Sequence, residues 1–500
     1  VGIIKQKHRL ILVLILILLL IKGYYSEKIP VNDGLGWDGF GYGNLIRNAE
    51  TFLSDRSIDK YLFQRIGIPL FLHYVFNLLN IGFLNSNFIA AFEILNLVCI
   101  LTAILYFFKI SNKLKLSVNT EIIGFSSLFF CFPVIKLCGF YPVLLDIPAF
   151  TIGLMLVYYY LQNNVVLYFL LIFIGSFIFP TFIVMSLLFL FKKAPVEHQN
   201  SVTPGAPSQR NWTSGSENII HPVLYFFFPL LFLIMFYFLY YKGSWDIIVE
   251  NIKTEAIGTV VIWYSLFIAL GYILYLTYFK KSYFNLKTIL TALNPLGITI
   301  AFLVYVNIQL LSSYYTSDAA SPLTLKMYLT NVVSQAVQNP AAFLVAHVFY
   351  FGLVFLLLFF LLRDLKKEIM TYGFGMIAFF TAVIFFSVGS ESRQLINYYP
   401  FLVVLILGAL NKQWDISLPF SIIYSAVCVC LSHFWYTINL PEDPSAYESF
   451  NPFLSPMQRY FMFQGPWVND TIYLIHLGIC LVLLALLLFS FKTAKLISRK

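Results

Sequence analysis

Charge is what this sequence has least of. Asp, Glu, Lys and Arg make up 11% of its 500 residues, whereas 60% are hydrophobic and the mean hydropathy is +0.81. A soluble domain of that length needs a polar exterior, and this composition cannot supply one. Cysteine is sparse as well. The six are Cys99, Cys131, Cys138, Cys428, Cys430 and Cys480, all within or beside apolar stretches. No Cys-x-x-Cys occurs and no His follows at metal spacing, so they read as small apolar packing residues rather than a zinc module. The net charge of +9 belongs to no basic stripe and to no nucleic-acid motif. Its Lys and Arg instead flank apolar runs, which argues against a nucleic-acid partner.

Long apolar runs are present throughout. They recur at roughly the 20-residue length that crosses a bilayer. The expected fold class is an all-α polytopic membrane protein with about 13–14 transmembrane helices, the first over 10–26 and the last over 471–491. The first run has a signal-like basic start, but Lys22 follows it and no small-x-small cleavage site appears, so it reads as a retained first helix. Residues 66–82, "IGIPLFLHYVFNLLNIG", read as a helix lying at the outer interface or re-entering. With that choice both termini are cytoplasmic. Most Lys and Arg then fall inside and most Asp and Glu outside, as the positive-inside rule requires.

A polar stretch over 192–221, rich in Ser, Pro, Gly and Asn, reads as a flexible cytoplasmic linker between an N-terminal module, 1–191, and a C-terminal module, 222–500. Three outer loops stand out: 27–65, 312–340 and 438–470.

Charges beside apolar sequence are costly unless paired or used. On the outer side these are Asp38 in "GWDGFGY", Glu93 in "AFEILN", Asp146 in "LLDIPAF", Arg65 in "QRIGIP", Lys136 in "VIKLCG", Arg393 in "ESRQLI" and Arg459 in "MQRYFM". Each has an ordinary reading. Asp38 is compatible with an Asp-Gly turn, and the glycines around it with a tight bend. Asp146 suits a helix N-cap. Glu93 suits pairing with a nearby base. Arg65 and Lys136 suit snorkelling. His347, His433 and His476 sit singly in apolar spans and read as packing or hydrogen-bonding residues.

The order of these motifs resembles the GT-C superfamily of membrane glycosyltransferases, relatives of protein O-mannosyltransferases and the lipid A aminoarabinose transferase. Trp37-Asp38-Gly39-Phe40-Gly41-Tyr42 is similar to that family's first-loop pattern. Arg65-Ile66-Gly67-Ile68-Pro69 is similar to its Arg-x-x-x-Pro segment, and Asp146-Ile147-Pro148 to its Asp-x-Pro. The resemblance in motifs covers residues 10–191; the C-terminal half is matched by architecture and by Arg393. Two features depart from the family. Asp38 is followed by Gly rather than a second acid, with Asp33 five residues upstream, and the place of a Lys-Glu-like pair reads "FIFPTF".

The resemblance implies an enzyme of the bacterial inner membrane. It would transfer a sugar from a polyprenyl-phosphate donor to a hydroxyl on a glycan, lipid or protein acceptor at the outer face, with inversion. It implies Asp38 as general base. Arg65, Arg393, Lys136 and Arg459 are then candidates for the leaving phosphate. Asp33, Asp146 and Glu93 would orient those cations or hold Mg²⁺ or Mn²⁺. A flippase or transporter of a lipid-linked saccharide, a polymerase or ligase of another fold, and a non-catalytic scaffold stay open as alternatives.

Overall fold

The computed structural model describes residues 2–193, 220–241, 256–277, 286–317, 325–438, 440, 470–492 and 497–499. Among them the structure is helical, apart from one antiparallel pair, Trp414–Ile416 with Ile497–Arg499, and isolated bridges. Most of the expected linker and most of the 438–470 loop, with Arg459, lie outside the described residues.

Four described helices are long and apolar enough to cross a bilayer: Asn85–Leu114, Val260–Thr277, Pro295–Tyr315 and Thr471–Phe491. Two bent pairs raise this to six if each is one span: Val118–Phe129 with Pro133–Phe140, bent by 50°, and Ala342–Phe351 with Val354–Tyr372, bent by 106°. Several other apolar runs that sequence alone reads as spans, among them Val165–Gly175, Phe374–Phe386, Tyr399–Gln413 and Leu418–Leu431, form helices of 10–17 residues. The breaks have local causes. Pro133 opens the second half of one pair without an N–H to donate, and Gly352 at φ +91° turns the other. The burial pattern inverts that of a soluble protein. On Asn85–Leu114 the exposed face is Ile94, Leu97, Val98, Leu101 and Leu105. An apolar face of this kind is compatible with a lipid surround.

Six helices of the first part frame the rest: α1 Gly2–Tyr24, α2 Gly36–Ser54, α3 Lys60–Phe63, α4 Gly67–Leu79, α5 Asn85–Leu114 and α6 Val118–Phe129. At one end of α1 the Arg9 guanidinium donates to Glu121 on α6 at 2.7 and 2.6 Å. At its other end α1 packs on Pro133–Leu137 and Cys138–Phe140. The first helix and the bent pair therefore run in the same direction, and from Arg9 to Gly23 they lie side by side over about 21 Å at 1.5 Å per residue. Helix Tyr399–Gln413 packs on α6 and on helix Asp146–Gln162. Its far end meets the Glu121 end, where the Asn411 side-chain oxygen Oδ1 accepts from the Ser117 N–H at 2.9 Å. The loops preceding Asp146 and Tyr399 consequently gather at the opposite end of the bundle.

The stretch expected to be a glycine-rich loop is helical. α2 begins at Gly36, straight after a left-handed turn in which Asn32, Asp33 and Gly34 all have positive φ. Its buried positions Gly39, Tyr42, Gly43, Ile46 and Ala49 follow a helical period. The glycines serve close approach rather than bending. Gly36 has φ +66°, and a Cβ there would collide with the Tyr141 ring; a Cβ on Gly39 would lie 3.0 Å from that of Val143. The Gly39 N–H donates to the Tyr141 hydroxyl oxygen at 3.3 Å.

The segment 66–82 forms α4, whose 13 residues are too short to cross a hydrocarbon core of about 30 Å. It lies along α2. Its Ile68, Leu72, His73 and Phe76 face is buried, and His73 Nδ1–H donates to the Ile46 carbonyl at 2.6 Å. Its other side, Phe71, Tyr74, Leu78 and Leu79, is exposed and apolar.

A side chain at Gly36 must meet both the left-handed backbone and the Tyr141 ring. Gly36→Ala is expected to cost about 2–4 kcal/mol, read as a lowered thermal midpoint of the detergent-solubilised protein. Gly271→Ala is the matched control. Nothing lies within 4 Å of the added methyl on that helix, and the change is expected to be neutral or stabilising.

Candidate active site

Three segments far apart in sequence meet at the end of the bundle beyond the first helix. Asp38 comes from the first turn of α2, where the positive end of the helix dipole favours an acid. Asp146 opens helix Asp146–Gln162. Arg393 sits in the short 3-10 turn Ser392–Leu395, ahead of helix Tyr399–Gln413. The guanidinium fork spans both acids. Nη1 donates to Asp38 Oδ2 at 3.0 Å and Nη2 to Asp146 Oδ2 at 3.1 Å. Each carboxylate is held on its other oxygen by a tyrosine. The Tyr61 hydroxyl donates to Asp38 Oδ1 at 3.1 Å, and the Tyr350 hydroxyl to Asp146 Oδ1 at 3.2 Å.

The turn that carries Arg393 is pinned by His347, fully buried one turn before Tyr350 on the same helix. The Ser387 carbonyl can only accept, so His347 Nε2 carries the proton and donates to it at 2.7 Å. Nδ1 then accepts from the Ser392 hydroxyl at 2.9 Å. The Gln335 side-chain oxygen accepts from the Glu391 N–H at 3.0 Å and holds the turn from another helix, Leu325–Gln338.

The two acids are not equivalent. The Asp146 side chain is 3% exposed and that of Asp38 is 23% exposed. Asp146 is locked between Tyr350 and Arg393, and both its oxygens are engaged there, so its carboxylate does not cap its own helix. Asp38 is the carboxylate that an incoming molecule can reach. Burial pushes the Asp38 carboxyl up, but Arg393 and Arg65, with hydrogen bonds from Arg393 and Tyr61, outweigh it and hold the group below its ordinary value of 3.8. Burial also drives the neighbouring Glu391 carboxyl up, toward the neutral form, against the pull of Arg393 and Arg65. The Arg393 guanidinium is disfavoured by burial, yet Asp146 and Asp38 keep it charged. Its Nε–H is buried with no hydrogen-bond partner among the described residues.

Arg65 lies at the edge of this group. Its guanidinium sits 3.8 Å from the Tyr61 ring centroid, and Nη1 donates to the Tyr61 carbonyl at 3.2 Å. Among the described residues no carboxylate forms an ion pair with it. It is 8% exposed, a desolvated cation rather than a snorkelling one.

The remaining sequence candidates lie elsewhere. Lys136, 3% exposed, is paired with Glu27 at 3.0 Å, and Glu27 also accepts from the Ile438 N–H. Glu93 is paired with Lys28 at 2.5 Å. Asp33 is exposed and accepts from Asn85 at 3.4 Å. Arg459 is outside the described residues. Sequence reading missed Tyr61, Tyr350 and Glu391; their signal was proximity in sequence to residues already singled out. It also missed Glu121, fully buried and bonded to Arg9, His8 and Ser111 at the other end of the bundle.

Mg²⁺ and Mn²⁺ ask for converging oxygen ligands. Among the described residues no three His, Cys, Asp or Glu side chains converge, and the space between Asp38 and Asp146 is spanned by a guanidinium. This donor set does not fit a resident divalent metal.

The fold and site thus define a class: a bundle of apolar helices carrying a two-carboxylate, one-arginine centre at one end. Neither a family model, nor a curated protein, nor a solved structure matches the chain.

Removing the cation leaves two carboxylates facing each other. Arg393→Met is expected to destabilise the fold by about 3–5 kcal/mol, and adding Asp38→Asn and Asp146→Asn to recover most of that, measured by thermal unfolding. The pH dependence has a definite sign. Asp38 titrates lower in the folded than in the unfolded chain, so its stabilisation is complete above the unfolded value and lost as pH falls through the folded one. The difference in thermal midpoint between wild type and Asp38→Asn is expected to be flat above about pH 5 and to shrink below about pH 4.

Proposed function

We propose that this chain is a membrane glycosyltransferase of the GT-C type, moving a sugar from a polyprenyl-phosphate donor to an acceptor hydroxyl with Asp38 as the general base. One observation carries the reading. Asp38, Arg393 and Asp146 form a single ion-paired chain across segments 355 and 247 residues apart, with Arg65 beside it. These are the residues that the motif resemblance singled out.

The reaction needs a proton acceptor and a charge sink. The acceptor hydroxyl gives its proton to Asp38 as its oxygen forms a bond to the anomeric carbon. The bond from that carbon to the phosphate oxygen breaks, and polyprenyl phosphate leaves with the electron pair. Attack opposite the leaving group inverts the centre. Asp38 is ionised over the physiological range and half-buried, so it is ready to accept a proton and can be reached. Tyr350 holds Asp146, Asp146 holds Arg393, and Arg393 holds Asp38.

The leaving phosphate calls for a cation that is not already neutralised. The Arg393 charge is shared by two carboxylates, and Lys136 is taken by Glu27. Among the described candidates Arg65 is the cation without a carboxylate partner. The membrane setting agrees. Lys5, Lys7 and Arg9 lie at the end of α1 remote from Asp38, which suits a cytoplasmic N-terminus with the site on the outer face of a bacterial inner membrane. The acceptor is a glycan, lipid or protein hydroxyl.

The test is sugar transfer from a polyprenyl-phosphate donor by purified protein in liposomes. Asp38→Asn is expected to lower the rate by about 10²–10⁴-fold while the protein still purifies folded. Unchanged transfer by this variant would remove Asp38 as the base.

A further inference from the structure

Tyr61 touches both working parts of the site. Its hydroxyl donates to Asp38 Oδ1 at 3.1 Å. Its ring lies 3.8 Å from the Arg65 guanidinium carbon, and its carbonyl accepts from Arg65 Nη1 at 3.2 Å. Arg65 follows one helical turn later, so its side chain reaches back over the Tyr61 ring.

The local fold sets Tyr61 firmly. The Asp59 carboxylate caps α3, accepting from the Tyr61 and Leu62 N–H groups at 2.7 and 3.2 Å. On another side of α3, Phe63 is buried between Phe177, edge-on at 5.8 Å, and Tyr315, stacked at 6.2 Å. Burial raises the Tyr61 phenol to about 12, so near neutral pH the hydroxyl is a donor. Asp38 Oδ1 keeps a second lone pair for an acceptor's proton.

We infer that Tyr61 is a positioning residue that couples the base to the phosphate-binding cation. Its hydroxyl orients the Asp38 carboxylate while its ring and carbonyl hold Arg65. One residue, through its side chain and its backbone carbonyl, then sets the separation between the atom that takes the proton and the charge that receives the leaving phosphate. The inference rests on the glycosyl-transfer reading above.

The two contacts separate by substitution. Tyr61→Phe keeps the ring and loses the hydroxyl; Tyr61→Leu loses both. In the liposome assay Tyr61→Phe is expected to lower kcat about tenfold, the worth of a hydrogen bond to a charged group, with the donor KM changed less than about twofold. The acid limb of its pH–rate profile is expected to move up by about one unit, because Asp38 loses a donor while Arg393, Arg65, Glu391 and Tyr42 still face it. Tyr61→Leu is expected to show the same loss in kcat and, in addition, a donor KM and a polyprenyl-phosphate inhibition constant raised about tenfold. Thermal midpoints of both variants report folding. If both folded variants keep wild-type kcat, KM and acid limb, the inference is wrong. It is equally wrong if kcat and KM worsen together in Tyr61→Phe with an unmoved acid limb, which is what a merely structural role gives. The wild-type arm is separate: if wild type neither transfers sugar nor binds sugar-free polyprenyl phosphate, the glycosyl-transfer reading itself fails.

Discussion

Arg393 is the one cation on which the rest of the site depends. A guanidinium has a planar fork, and here each prong takes a different carboxylate. Without it, Asp146, 3% exposed, would be a buried charge with only a tyrosine for company, and Asp38 would face a like charge. With it, two acids from distant parts of the chain can stay ionised side by side. The same contact therefore ties the N-terminal and C-terminal parts together and sets the charge state of Asp38.

Everything around that contact serves to place its three members. Gly36 and Gly39 let α2 come down on Tyr141 and Val143, a few residues ahead of Asp146, so the two acids arrive together. His347 bonds Ser392, which opens the turn that carries Arg393, and Ser387 at the end of the preceding helix, and Tyr350, one turn on, bonds Asp146. Tyr141, His347 and Tyr350 are each buried and hydrogen-bonded, which fixes their positions in an apolar surround. The asymmetry in exposure between Asp38 and Asp146 then divides their labour, one reachable and one structural.

Some of this was legible in the sequence. An all-helical chain with membrane-type helices follows from apolar runs too long and too numerous for a soluble fold. Asp38, Asp146, Arg65 and Arg393 stood out because a charge beside apolar sequence needs a reason, and the fold gathers all four. The same logic also singled out Lys136 and Glu93. It could not say that Glu27 and Lys28 neutralise them, because pairing is a matter of which helix ends meet. α2 was hidden by its glycines, which read as a bend by propensity and work as a packing surface against Tyr141. Spans read as continuous are divided in the structure at Pro133 and Gly352, since a hydropathy window averages over a single residue that breaks a helix.

By itself the sequence determined the chain's character: 11% charge and long apolar runs, which fold among the described residues into helices compatible with a bilayer. It also determined which charges were out of place, because the cost of a charge near hydrocarbon depends on local composition. The tertiary structure decided which charges meet. It gave Arg393 to both acids and Lys136 to Glu27, and it left Arg65 resting on the Tyr61 ring without a carboxylate among the described residues. The physical reason is range. Hydrophobicity and helix periodicity act within about one or two turns of chain, whereas an ion pair or hydrogen bond needs contact, and contact between residues 38, 146 and 393 exists only once the helices have packed.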